Sequence, residues 1–194
     1  PLNENPRVLR IVEEAHNRLL GEINKLYPGH LILSFNSGIM HHKMIRLITR
    51  LNNVPAEPRE KKLYGPNMAV PFGRFLEDNV VPNTVTKSLH TEKYYNREIT
   101  NFTVEESRNY SPIADQVKMI KSFNRPVILV DDLLYKGYRM NKIDPILKEH
   151  DVNVADTVVG VLTGRGKDLM TVKKRKVDSA YYVPNIRMWL DENS

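Results

Sequence analysis

The sequence predicts an α/β fold, a mostly parallel central sheet flanked by helices. Short apolar runs at 31–35, 127–130, 157–163 and 179–183 are of strand length and too short for helices. Segments with apolar residues at helical spacing lie around and between them, at 6–26, 39–52, 111–123 and 139–149. Parallel strands need crossover connections, and helices in those connections cover both sheet faces. The 194 residues suit one domain, 1–194, that buries about 70% of its extended surface on folding.

In "PRVLRIVEEAHNRLLGEINKL" (6–26) apolar residues stand at 8, 9, 11, 12, 15, 19, 20, 23 and 26, a helical period, and Pro6 suits a first turn. "YPGH" breaks it. "LILSF" (31–35) reads as a strand, "NSG" (36–38) as a glycine turn and "IMHHKMIRLITRLN" (39–52) as a helix. Residues 53–101 differ. Proline at 55, 58, 66, 71 and 82 and glycine at 65 and 73 interrupt any period. They read as an irregular excursion, open to motion, with one short strand near 79–86; long loops inside a domain are often functional. Ser111 as cap and Pro112 as opening residue start the helix at 111–123. Strand 127–130, an acidic and glycine turn, helix 139–149 and strand 157–163 follow. The last strand, 179–183, is reached across "GRGKDLMTVKKRK". No internal repeat or low-complexity tract is present.

Composition excludes several chemistries. The chain has no cysteine, so disulfides, thiolate metal sites and cysteine nucleophiles are ruled out. The absence fits a reducing, cytoplasmic setting. No apolar run approaches the roughly 20 residues that span a bilayer, so no membrane partner is expected. The chain opens Pro-Leu-Asn-Glu without an initiator methionine, as expected of a processed chain or of one domain of a larger protein. A net charge of +6, gathered at 43–62, 136–142 and 165–176, favours anionic partners. Nucleic acid, nucleotides and phosphosugars all remain open at this point.

The stretch "RPVILVDDLLYKGYRMNKI" (125–143) narrows them. Four apolar residues lead straight into Asp131 and Asp132. In open parallel sheets the ligand site lies beyond the carboxyl ends of the strands. Two adjacent carboxylates would be costly in a core, and at a rim they suit a vicinal diol. Gly137 gives a turn free of a side chain, and a helix starting after it would aim backbone amides at a phosphate. The residues read as a ribose-phosphate cradle.

"VILVDDLLYKGYRM" resembles the phosphoribosyl-pyrophosphate motif of type I phosphoribosyltransferases. That family has four apolar residues, two acids, two more apolar residues, a variable one, then Thr, Gly, a variable residue and Thr or Ser. The resemblance implies a phosphoribosyltransferase-like fold over about 28–185. It implies that Asp131 and Asp132 bind the ribose hydroxyls. It implies that Leu134, Tyr135, Lys136, Gly137, Tyr138 and Arg139 surround the 5′-phosphate. Lys136 and Arg139 depart from the pattern by standing where the family prefers threonine. They leave open a divergent phosphate site, with charge added, or a lapsed one.

Further from the motif, Asn36, Ser37 and Gly38 match the position of the family's pyrophosphate loop. The excursion at 59–96 stands where the family closes a loop over the reaction, and supplies Arg59, Lys61, Lys62, Arg74, Lys87, His90 and Lys93 as basic candidates. The segment after strand 157–163 stands where the family helps hold the base. A magnesium ion is implied by the resemblance alone, held mainly by substrate phosphates and by one of Asp131 and Asp132.

The remaining motifs are less specific. One of His41 and His42 reads as a ligand-facing imidazole, or both as ordinary helix-start surface groups. "LTGRGKDL" (162–169) reads as a phosphate nest or a plain turn, and "KKRK" (173–176) first as a solvated basic turn. No histidine pair has zinc spacing, and no serine has a nucleophile elbow. The expectation is therefore a protein that binds phosphoribosyl pyrophosphate or a ribose 5-phosphate compound, with transfer of the phosphoribosyl group to a base or amine. A non-catalytic ribose-phosphate domain and a basic nucleic-acid module are the alternatives. The expected partner is a phosphorylated ribose, homo-oligomer formation stays open, and no catalytic residue is assigned.

Overall fold

A computed structural model of the chain describes residues 5–59, 63–73, 76, 81–98, 100–187 and 189. The chain divides into two compact units, Pro1–Asn36 and Ser37–Ser194.

The first unit holds helix α1, Pro6–Leu26. Asn5 caps it, its side-chain oxygen accepting the Arg7 amide at 3.0 Å, and Pro6 needs no donor partner there. The predicted strand at 31–35 does not form. Those residues take no regular secondary structure, and Leu31 is 85% exposed. An apolar run becomes a strand only when a neighbour pairs with its backbone.

The second unit contains α2 (Ser37–Leu51), β1 (Met68–Pro71), β2 (Val85–Thr86), β3 (Thr91–Tyr95), β4 (Phe102–Glu106) and α3 (Ile113–Ser122). β5 (Val127–Leu134), α4 (Tyr138–Glu149), β6 (Val154–Thr163), α5 (Gly164–Val172) and β7 (Asp178–Val183) follow. Five strands form one sheet in the order β2-β1-β5-β6-β7, every neighbouring pair parallel. β3 and β4 form a separate antiparallel ladder. The predicted α/β class with a parallel sheet and flanking helices is the observed one.

Alternation along β5 sends side chains to two cores. Val127 and Leu129 pack in a cluster with Ile113, Val117 and Ile120 of α3 and Ile143 and Leu147 of α4. Ile128 and Val130 point to the other face, where α2 lies on β6 and β7 with Met44 and Ile48 fully buried. Each such side chain contributes roughly 1.5–3 kcal/mol on burial. An exposed pair such as Arg50–Asp178, at 3.3 Å, contributes about 1 kcal/mol at most, so the cores dominate.

Several expectations need correction. The excursion at 53–101 is not merely irregular. It supplies β1, a fully buried inner strand paired with β5, as well as β2 and β3, the latter pairing with β4 just beyond it. Four residues ending in a proline carry no readable period, so only the pairing exposes β1. The strand expected near 79–86 is β2 at Val85–Thr86; residues 79 and 80 lie outside the described residues. Lys61, Lys62 and Arg74 lie outside them too. Pro112, not Ser111, occupies the N-cap position of α3, without a side-chain hydrogen bond. "GRGKDLMTV" is a helix rather than a turn, capped by Thr163, whose hydroxyl accepts the Gly166 amide at 3.0 Å. "KKRK" is not simply solvated, because Lys173 and Arg175 fold onto the buried Asp144 of α4.

Candidate functional site

From β1 the chain moves to β2 on one side, and from β5 it moves to β6 and β7 on the other. The strand order therefore reverses between β1 and β5, and in open parallel sheets a crevice opens at such a reversal. That reversal of winding is where ligands sit in open parallel sheets. Asp131, Asp132, Phe72 and Gly73 stand at this place.

β5 does not stop before the acids. It runs through both to Leu134, with Asp131 in register with Val159 of β6. A rim position holds for Asp132, which is half-buried, and not for Asp131, which is buried. The Arg139 guanidinium donates to Asp131 Oδ1, which also accepts the Asp132 amide at 3.0 Å. Burial pushes the Asp131 carboxyl well above its usual range; Arg139 opposes this and the neighbouring Asp132 adds to it. The same guanidinium lies 5.5 Å from the centroid of the Phe72 ring, just past the end of β1. Arg139 thus bridges the ends of both central strands. Asp132 Oδ1 accepts the Leu133 amide at 2.7 Å.

The turn after β5 is built around Gly137, which sits at φ 69°, ψ 28° as the N-cap of α4. The left-handed backbone favours glycine, and a Cβ there would also displace the end of the Leu169 side chain, 2.0 Å away at Cδ2. Glycine also leaves the start of α4 without a side-chain cap. Lys136 and Tyr138 are exposed. The Tyr138 ring meets Phe102 of β4 edge-on at 4.9 Å, which brings the β3–β4 hairpin beside the turn. Leu134 and Tyr135 serve the scaffold through their carbonyls, which accept the Thr163 hydroxyl at 3.2 and 3.1 Å.

Asn36 ends the first unit. Ser37 and Gly38 form the first turn of α2 rather than a glycine turn. A Cβ on Gly160 of β6 would meet both Met40 Sδ and the Asp132 carbonyl at 2.6 Å, while Arg50 at the far end of α2 pairs with Asp178 at the start of β7. α2 thus runs antiparallel to the strands. Its first turn lies at the sheet end that carries the acids. His41 is half-buried, and burial lowers its pKa; His42 is exposed.

Two features escaped the sequence reading. Phe72 and Gly73, the latter at φ +68°, follow β1 directly; the signal available was the short run "MAVPFG". The second is a pocket of about 370 Å³ lined by Tyr135, Thr163, Arg165, Pro184, Asn185, Ile186 and Arg187. Tyr135 belongs to the 127–140 motif and Thr163 and Arg165 to "LTGRGKDL", but nothing in the sequence brings them to residues 184–187. Among the described residues no cluster of three or more His, Asp or Glu side chains could hold a metal by itself. None of their helices is long and apolar enough to cross a membrane.

No family model and no curated protein matches the chain. Among solved structures it is similar to the AQ2163 protein of Aquifex aeolicus, at 14% identity and a TM-score of 0.47, over 81% of this chain and 89% of that one. It is similar to a purine phosphoribosyltransferase of Pyrococcus horikoshii at 13% identity and 0.45, over 81% and 89%. It is similar to a hypoxanthine phosphoribosyltransferase of Staphylococcus aureus at 16% and 0.44, over 81% and 78%. The latter two bear the name of the family that the 127–140 motif resembles. Likeness at this level carries no argument about ligands or reaction, so function rests on the chain's own residues.

Proposed function

We propose that the crevice at the ends of β1 and β5 binds a ribose 5-phosphate compound, phosphoribosyl pyrophosphate in the first place. The observation that carries this reading is the adjacency of two carboxylates and a left-handed glycine turn opening an uncapped helix, at the point where the sheet reverses its winding. Asp132 offers its carboxylate to the ribose hydroxyls. Asp131 reaches them with the oxygen that Arg139 does not hold. Lys136 and the amides at the start of α4 receive the 5′-phosphate. Arg139 has five N–H donors in its guanidinium, so it can keep Asp131 and still meet a phosphate oxygen. A magnesium ion would fit only as one that draws most of its ligands from the pyrophosphate, with Asp132 as the protein's carboxylate.

In transfer, the anomeric C–O bond to pyrophosphate breaks with its electron pair leaving on pyrophosphate, and a nucleophilic nitrogen of the acceptor supplies the new pair. The pocket beside Tyr135 is placed for that acceptor. One observation favours binding without transfer: Arg139, where the resembled family has a hydroxyl, is folded onto a candidate hydroxyl-binding acid.

Calorimetric titration with ribose 5-phosphate and with phosphoribosyl pyrophosphate tests the reading. Asp132→Asn and Lys136→Ala should each weaken binding about tenfold to a hundredfold, the equivalent of one charge-assisted hydrogen bond of roughly 1.5–3 kcal/mol. Melting temperatures should hold, since Lys136 is exposed and Asp132 only half-buried. Equal affinity in parent and both variants would remove the cradle.

A further inference from the structure

At the end of the sheet opposite the acids, a second pocket opens where β5 and β6 begin. About 210 Å³ in volume, it is lined by Lys121 near the end of α3, by Asn124, Arg125 and Pro126 ahead of β5, and by Val152 and Asn153 ahead of β6. β5 starts at Val127, four residues before Asp131, which is about 13 Å along a strand. The pocket shares no residue with the crevice. Its backbone is pinned: the Val127 amide donates to the Asn153 carbonyl at 2.8 Å, and the Asn124 amide donates to the Lys121 carbonyl at 2.9 Å.

The cations here are held differently from others in the chain. Arg50, Lys118, Arg139, Lys148 and Arg175 each meet a carboxylate. Lys121 and Arg125 donate instead to backbone carbonyls, Lys121 Nζ to Asp151 and Arg125 Nη1 to Gly65 and Pro66. Among the described residues neither is paired with an acid, and none of the six lining side chains is a carboxylate. A carbonyl orients a cation without cancelling its charge. An ammonium has three donors and a guanidinium five, so both keep N–H groups for a further acceptor. Arg125 is half-buried, which limits screening of its charge by solvent.

The size of the pocket narrows the ligand. Its volume lies below the roughly 300–1,000 Å³ of drug-sized sites, so it suits a small anion rather than a ring system. Two cations match a double charge. Donors arriving from α3, from the start of β5 and from Asn153 match oxygens in a tetrahedron better than the two in-plane oxygens of a carboxylate. Arg125 also holds the segment entering β1, and the Met68 amide donates to the Pro126 carbonyl at 2.9 Å. An anion there would join α3 to the starts of both inner strands.

We infer that this pocket binds a phosphate group, as a second anion site at the amino ends of β5 and β6. The inference stands apart from the ribose-phosphate reading of the crevice. Free phosphate and a phosphate monoester carry the same group, and the test separates them.

Inorganic phosphate is titrated into the full, isotope-labelled chain at constant ionic strength, and amide shifts are followed by NMR. The amides of Asn124, Arg125 and Asn153 should shift and saturate, in the parent and in Lys136→Ala alike. In Lys121→Gln and in Arg125→Gln the same shifts should need at least about tenfold more phosphate, the loss expected for one charge-assisted hydrogen bond. Melting temperatures should hold, because glutamine can still donate to the carbonyls and Lys121 is exposed. Glycerol phosphate that saturates the same amides more tightly than phosphate supports the site with a monoester as its ligand; weaker saturation supports it with the free anion. No saturating shift at these amides overturns the inference, as does a shift that acetate reproduces at equal concentration or one that survives in the double variant. Shifts confined to residues 136–140 also overturn it and leave the cradle standing. Saturation at 124, 125 and 153 in a protein that fails to hold ribose 5-phosphate at the acids would sustain it without the cradle.

Discussion

Asp131 is where a sequence argument about like charges meets its structural answer. Two adjacent carboxylates were expected at a rim, yet alternation along β5 sends the first inward and leaves the second half-exposed. Arg139 makes the buried one tolerable. The residue that stands in place of a hydroxyl in the resembled motif thus acts first as a counter-ion. A pH dependence follows. Burial, only partly offset by Arg139, holds the folded-state pKa of Asp131 above its unfolded value. Between those values the folded protein keeps a proton that the unfolded chain has lost. Stability therefore falls as pH rises through that window, and the cost is complete above it. Asp131→Asn carries no such cost. Its melting temperature relative to the parent should climb as pH is raised from the ordinary carboxylate range towards neutrality. A difference that stays flat across thermal melts at stepped pH would show that Asp131 titrates normally.

Among the elements, α4 is the one that both presents the site and depends on a second anchor. Its first turn carries Arg139, and its middle carries Asp144, whose side chain is 1% exposed. Arg175 donates to Asp144 Oδ1 from Nε at 2.9 Å and from Nη2 at 2.7 Å, while Lys148 reaches Oδ2 at 2.8 Å and Lys173 lies at 3.8 Å. The basic run after α5 is thereby clamped to α4. Burial alone would raise the Asp144 carboxyl, but Lys148 and Arg175 hold it below the usual range. Its contribution is therefore present above the ordinary carboxylate pKa and is lost as pH falls through the depressed one. Asp144→Asn leaves a half-satisfied cluster of cations. Breaking a buried pair costs about 3–5 kcal/mol, and the exposure of Lys148 places the expected loss at the lower end. Urea unfolding at neutral pH measures it, and a loss under about 1 kcal/mol would mean that the clamp is a surface feature. The basic run gave no sign of this in sequence, because its acidic partner lies some thirty residues earlier.

At the scale of the whole molecule, a net charge of +6 left nucleic acid and phosphosugars equally open. The crevice separates them by the number of phosphates it can meet. Proteins that neutralise six to ten phosphates lose about 10³–10⁵ in affinity when salt rises from about 50 to 200 mM. A cradle with one or two cations should lose less than about tenfold for ribose 5-phosphate over the same range. Titrations at the two salt concentrations check this, and a steep slope would favour the basic module over the cradle. By itself the sequence determined the α/β class, the helices α1 to α4, and the acid pair followed by a glycine turn, because periodicity and special backbone conformations are written in neighbouring residues. It misplaced the strand at 31–35 and missed β1, α5 and the arginine-lined pocket. A short apolar run becomes a strand only if another strand pairs with it, and β1 is defined by its hydrogen bonds to β5 more than fifty residues away. Only the tertiary structure decided that Arg139 meets Asp131, because burial, pairing and pocket shape arise from contacts between distant segments and leave no local period to read.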